Sequence, residues 1–224
     1  MTPIEFDDDL SEGGSSIEIV TSEEIEDAIA HGGELPEAVP VLPLRDMVTY
    51  PGTLTPLAVG QERSMRLIDD VLSGDRGLVM VASKDPELDE PGPDDVERVG
   101  VAGVVARMLK VPDGTIRILV QGTKRVRLGR FVATDPYLVA DVEEIPDIVE
   151  EGPELQALTR NVQRTFSEII EEIPYLPEEL QLAVTNVEDP SALAHLIAGA
   201  LRIPSAEKQE ILEQVNVGAR LRRL

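Results

Sequence analysis

The feature that most constrains this chain is a change in apolar spacing at Pro146. Upstream, "VGVAGVVARMLKV" and "TIRILVQGTKRVRL" are β-branched runs of strand character, whereas downstream "PELQALTRNVQRTFSEIIEEI" sets Leu155, Leu158, Val162, Phe166, Ile169, Ile170 and Ile173 on one helical stripe. Side chains alternate across a strand but recur every 3.6 residues on a helix, so the two halves cannot share one kind of element. Strands first and helices second is the pattern of an α+β chain with segregated layers.

The β half starts near Ala38. Val41 to Arg45 and Thr53 to Val59 are short apolar runs broken by Pro43, Pro51 and Pro56. Proline removes a ladder donor and belongs on edges, strand starts or bulges, which predicts a bent, partly open sheet. "QERSMRLIDDVLSGD" places Met65, Ile68, Val71 and Leu72 at helical spacing and stops at Gly74. "RGLVMVAS" reads as a buried strand and "KDPELDEPGPDD" as an acidic loop. Asp113-Gly114 between the two long runs predicts a hairpin, because the central positions of its turn favour positive φ. Gly100, Gly103, Gly122 and Gly129 within those runs mark bulges or the corners of a small barrel, and "YLVADVEEI" closes the β part.

In the helical half, "LPEELQLAVTNV" is a short helix, and Asp189 followed by Pro190 gives the next one an N-cap and a proline at its first position. His195 falls on the exposed or intermediate side by spacing, and without a second His, a Cys or a carboxylate at i+4 it is no metal ligand. "PSAEKQEILEQVNVGARLRRL" puts Ile211, Leu212 and Val215 on one side with Arg220, Arg222 and Arg223 behind. Leu221 and Leu224 continue the period and no Gly, Asn or Pro closes it, so it reads as a long helix cut short.

Charge is distributed unevenly. Residues 1–36 hold 11 acidic residues and no Lys or Arg, residues 37–140 hold 15 acidic and 13 basic, and residues 141–224 hold 17 and 7. Residues 1–37 therefore read as a disordered acidic leader with too little apolar surface to offset the entropy of ordering. Within it, Thr21 to Glu24 matches a capping box for a marginal helix ending near His31. A chain of net charge −23 repels polyphosphate, so DNA is disfavoured as a partner, and "KRVRLGR" (Lys124, Arg125, Arg127, Arg130) reads as the solvated face of a strand. Arg45 and Asp46 are expected to pair with each other or cap a loop.

The chemistry is mostly negative. There is no Cys, hence neither disulfide nor thiolate metal site, which fits a reducing cytoplasm. No basic n-region and no apolar span of about 20 residues is present, so neither export nor a membrane is indicated. Neither a Gly-Lys phosphate loop nor a G-x-S-x-G elbow occurs, and two histidines leave no catalytic triad. No catalytic, cofactor-binding or metal-binding residue is assigned.

In order, "VLPLRDMVTYPGTLTPLAVG", "RSMRLIDDVL", "GLVMVAS", the P-D-G hairpin and "AEKQEILEQVNVGARLRRL" resemble the N-terminal region of the Lon family of ATP-dependent serine proteases, over about residues 39–224. The resemblance implies a partly open, PUA-like β-barrel of about six strands and one helix over 38–146, then a helical bundle over 147–224. It also implies a non-catalytic module that recognises unfolded or damaged proteins and contributes to hexamer assembly. By the same likeness, ATP and Mg²⁺ and the Ser-Lys protease site belong to the parent protein beyond residue 224. A free-standing adaptor or holdase, and more remotely a nucleic-acid-binding barrel, are the alternatives. A receptor for unfolded segments needs adaptable exposed apolar surface. Met47, Val48, Tyr50, Pro51 and Leu54, around the Pro-Gly break, are the candidate contact residues.

Overall fold

A computed structural model describes residues 17–19, 36, 38–112, 114–173 and 175–224. The leader's capping box and His31 lie outside these residues. The described chain forms strands β1 (Ile17–Ile19), β2 (Ala38–Leu44), β3 (Leu54–Val59), β4 (Gly77–Ala82), β5 (Val99–Lys110), β6 (Ile116–Ala133) and β7 (Leu138–Glu144). Its helices are α1 (Glu62–Ser73), α2 (Pro153–Glu172), α3 (Glu178–Asn186), α4 (Pro190–Ala200), α5 (Ser205–Glu213) and α6 (Val217–Arg223). The class is α+β, with the strands ahead of the helical bundle.

The strand order is β1-β5-β4-β2-β7-β6-β3, and β5 also pairs with β6. The sheet therefore curls back on itself through its two longest strands, β5 and β6, while β3 hangs from the first half of β6. Register shifts at Ala102/Gly103 and Val105/Arg107 bend β5, as its glycines suggested. The β2–β7 ladder covers only residues 38–41 against 141–138, so the curl remains an open barrel rather than a sealed one. Leu42, Leu44, Leu57 and Val59 line the opening between β2 and β3. Pro56 lies in β3, at the end of the strand order, and denies that edge one donor.

The hairpin forms where expected, with a longer loop. Lys110 is opposite Ile116, the Val111 N–H donates to the Thr115 carbonyl at 2.9 Å, and Gly114 takes φ +85°. Pairing thus stops at Val111 and Thr115, with Gly114 left-handed, so the connection is longer than a two-residue turn.

Three clusters fill the interior. One lies inside the curled sheet and includes Leu42, Tyr50, Leu67, Ile68, Met80, Val101 and Val120, joined by Ile211 and Leu212 of α5. A second covers the other sheet face with Val39, Val79, Val81, Val126 and Leu138. The third is the bundle, where Leu155, Phe166 and Ile170 of the α2 stripe meet Val184, Leu193, Ile197, Val217 and Leu221.

The expected long final helix is two helices. Asn216 breaks it: its side chain accepts from the Ala219 N–H at 2.8 Å and caps α6. Ile148 donates its N–H to the Val215 carbonyl and accepts from the Val217 N–H, taking backbone groups a continuous helix would have used. The break lets α5 serve the sheet core while α6 serves the bundle.

Candidate functional site

Residues 45–53 run from β2 to β3 across the mouth of the sheet, and the turn at Pro51-Gly52 fixes their path. Gly52 adopts φ +77°, a region that disfavours any side chain. Its N–H donates to the Gly122 carbonyl at 3.0 Å, and the Gly122 N–H donates to the Thr53 carbonyl at 2.9 Å. Gly122 is needed for the approach, because a Cβ there would lie 2.5 Å from the Tyr50 carbonyl oxygen. Tyr50 anchors the loop from inside: its hydroxyl donates to the Lys208 carbonyl at 2.9 Å, and its ring stacks on His195 with centroids 5.6 Å apart. Burial pushes the Tyr50 hydroxyl above its usual range, against the pull of Arg220.

The loop and the helices enclose a cleft of about 490 Å³. One wall is Met47, Pro51, Leu54 and Pro56, and the other is Leu180, Val187, Leu196 and Ala200 from α3, α4 and the turn between them. Lys208 reaches the floor, its ammonium made less basic by burial despite nearby Asp46. Met47 and Leu54, 38 % and 51 % exposed, both border this cleft. A wider groove along α2 is lined by Gln156, Thr159, Arg160, Gln163 and Thr185, which gives it a polar character unsuited to apolar ligands.

A buried ionic cluster joins β6 and the linker after β7 to α4 and α6. Asp147 accepts from Arg125 of β6, from Arg220 of α6 and from Ser191 of α4. Arg125 also donates to the Leu212 carbonyl at 3.0 Å, and Arg220 to the Gln214 carbonyl at 2.6 Å. Arg220 is completely buried. Burial opposes ionisation of Asp147, but the hydrogen bonds from Arg220 and Ser191 and the two guanidinium charges outweigh it and hold the carboxyl well below its usual range. Burial, with Arg220 nearby, lowers His195 to about 3 and keeps it neutral.

Several expectations from sequence are corrected. His195 is buried, because α4 is apolar nearly all round and sits between the bundle and the Tyr50 loop. Arg125 is buried too, so only Arg127 and Arg130 of the "KRVRLGR" cations are exposed; Lys124 is half-buried and pairs with Glu144 at 2.8 Å. Arg45 and Asp46 do not pair with each other: Arg45 meets Asp89 at 2.7 Å and Asp46 accepts from Ser205. Of the candidate contact residues, Met47, Pro51 and Leu54 reach the cleft surface, while Val48 and Tyr50 are core side chains that shape it. Spacing around a Pro-Gly break shows where the chain turns, not which side chains turn inward. The helical wall and the Arg125–Asp147–Arg220 cluster went unseen because they assemble from segments far apart in the chain.

Among the described residues no group of three or more His, Asp or Glu could hold a metal ion, and no helix is long and apolar enough to cross a membrane.

Residues 38–224 match the family described as the ATP-dependent protease La (LON) substrate-binding domain. The chain is 42 % identical to a Lon protease of Dictyoglomus thermophilum and 39 % identical to Lon protease 2 of Herpetosiphon aurantiacus, each over 185 residues and 83 % of this chain. It spans 23 % of the length of both relatives. In structure it is similar to the N-terminal domain of the Mycobacterium avium complex Lon protease, with TM-score 0.68, 26 % identity and coverage of 83 % of this chain and 94 % of that one. A Lon N-terminal domain protein from Xanthomonas campestris shares the fold at TM-score 0.60 and 19 % identity, over 83 % and 95 % of the two chains. Sequence match and fold agree, and the chain belongs to the Lon substrate-binding domain family.

Proposed function

We propose that this chain captures unfolded or damaged protein segments for a Lon-type ATP-dependent protease, holding them in the cleft between the 45–56 loop and the α3–α4 wall. The observation that carries this reading is the pair of apolar walls facing one another with Met47 and Leu54 on the rim. Unfolded chains display apolar segments without a fixed sequence, and flexible or shallow apolar contacts suit them. ATP with Mg²⁺ and the Ser-Lys cleavage site belong to the rest of such a protease. A contribution to hexamer assembly and a cytoplasmic role in protein quality control complete the proposal. The nucleic-acid alternative is disfavoured by the basic run itself, since Lys124, Arg125 and Arg130 each face a carboxylate.

The test is suppression of aggregation. Purified chain is expected to reduce light scattering from a chemically denatured client without ATP. Met47→Gln with Leu54→Gln is expected to weaken this about tenfold, given the apolar contact removed. Both positions are solvent-facing, so far-UV circular dichroism should not change. Full protection by the double variant would remove the cleft from the proposal.

A further inference from the structure

Among the described residues Lys208 is the one charged residue that lines the cleft. It precedes Ile211 and Leu212 of α5 by three and four positions, and both of those side chains are buried in the sheet core. Helical spacing therefore puts Lys208 on the inward side of α5. Its backbone carbonyl accepts from the Tyr50 hydroxyl, which holds that turn of the helix beside the loop. The ammonium has no such tie. The lysine ion pairs among the described residues are those of Lys110 and Lys124, and Lys208 makes neither an ion pair nor a side-chain hydrogen bond. Asp46 is the anion it feels, and one Asp46 oxygen already accepts from the Ser205 hydroxyl at 2.8 Å.

An ammonium carries three donors, and burying it costs free energy unless acceptors or an anion meet it. Lys208 is half-buried, and the other lining residues are Met, Val, Leu, Pro, Ala, Gly, Thr and Tyr, which supply no anion. The cleft thus sets one positive charge among apolar walls. A segment of matching chemistry brings apolar side chains for the walls and one carboxylate for Lys208. An Asp or Glu side chain within the segment provides that carboxylate without requiring the client chain to end in the cleft.

We infer that the cleft selects, among extended apolar segments, those carrying an Asp or Glu side chain that meets the Lys208 ammonium. The inference rests on the capture reading above and gives it a substrate class. The net charge of −23 repels an acidic segment at long range. A preference for acidic over neutral segments is therefore opposite in sign to the effect of bulk charge and requires a local contact.

The experiment uses the whole chain and short fluorescent peptides of Leu, Val and Phe with a single central Glu or Gln, amidated at the C-terminus, and reads binding by anisotropy. A third peptide has the central Gln and a free C-terminal carboxylate. The Glu peptide is expected to bind about fivefold tighter than the amidated Gln peptide, the size of a charge-assisted contact at a half-buried site. The free carboxylate should add nothing. Lys208→Met should bring the Glu/Gln ratio to about one while the Gln peptide binds as before, and Lys208→Glu should reverse the order. Neither substitution touches the backbone carbonyl that Tyr50 uses. Lys84→Met removes the same charge from an exposed position outside the cleft lining and should leave the ratio intact. Equal binding of the Glu and Gln peptides by the parent chain, or a preference for Glu that survives either Lys208 substitution, overturns the inference. So does a gain seen only with the free C-terminal carboxylate, because a chain end and not a side chain would then be the ligand, or a ratio lost in Lys84→Met. If the Gln peptide still binds in any of these cases, the capture reading stands; if no peptide binds the parent chain, both fall.

Discussion

Lowering the pH from 7.5 to 5 should destabilise this domain chiefly through one residue. His195 is buried against Tyr50, and its Nε2 has no hydrogen-bond partner among the described residues. Burial and the neighbouring Arg220 charge lower it from an ordinary 6.5 to about 3 in the fold. A group held neutral by the fold binds its proton more readily when unfolded, so stability is complete above 6.5 and declines as pH falls towards 3. At pH 5 the unfolded histidine is almost fully protonated and the folded one almost fully neutral, a difference of about 2 kcal/mol from these two values. The sequence has just one other histidine, His31. Urea unfolding at pH 7.5, 6 and 5 measures the effect. His195→Phe keeps an aromatic ring beside Tyr50 and removes the titration. Its stability should lose about 2 kcal/mol less than the parent between pH 7.5 and 5, while His31→Gln should follow the parent. Parallel pH profiles for parent and His195→Phe would refute the reasoning, whatever the absolute stability of the variant.

Two further outcomes follow from the same geometry. Asp147→Ala removes the sole carboxylate seen between two buried guanidiniums and should cost about 3 to 5 kcal/mol in urea unfolding, whereas Arg220→Met leaves the Arg125–Asp147 pair and should cost less. The reverse ranking would show that packing, not charge, governs the cluster. Gly122→Ala forces a methyl to 2.5 Å from the Tyr50 carbonyl oxygen, which is backbone and cannot swing aside, so a loss of about 2 kcal/mol or more is expected. A neutral result would mean that the 50–53 loop relaxes freely.

Local rules carried the sequence reading as far as local causes operate. The change of period at Pro146, the P-D-G hairpin, the Asp189 cap and the glycine bends of β5 each depend on a few neighbouring residues, and each is present. The errors occur where distant segments decide. His195 looked half-exposed because helical spacing counts one partner surface, and α4 has two. Arg125 and Arg220 resembled ordinary surface cations until Asp147, brought in from the linker after β7, compensated them. The break before α6 depended on Ile148, nearly seventy residues away. The residues proposed around Tyr50 were not resolved into inward and outward side chains, because that loop follows neither a two-residue nor a 3.6-residue period.

The two kinds of residue in that loop divide the labour of a receptor. Tyr50 and Val48 are buried, and Tyr50 is tied to α5 through Lys208 and to α4 through His195, so the loop cannot close by collapsing onto the helical wall. Arg125, Asp147, Arg220 and Ser191 tie the sheet and the linker after β7 to α4 and α6. Met47 and Leu54 are then left exposed by a rigid frame, not by looseness. A preformed apolar cleft spares a bound segment the cost of ordering the receptor, so most of the ordering entropy falls on the client. A client that is already folded would have to unfold locally first, whereas a damaged one would not. On the capture reading proposed above, such a frame would discriminate between folded and unfolded chains without reading any particular sequence.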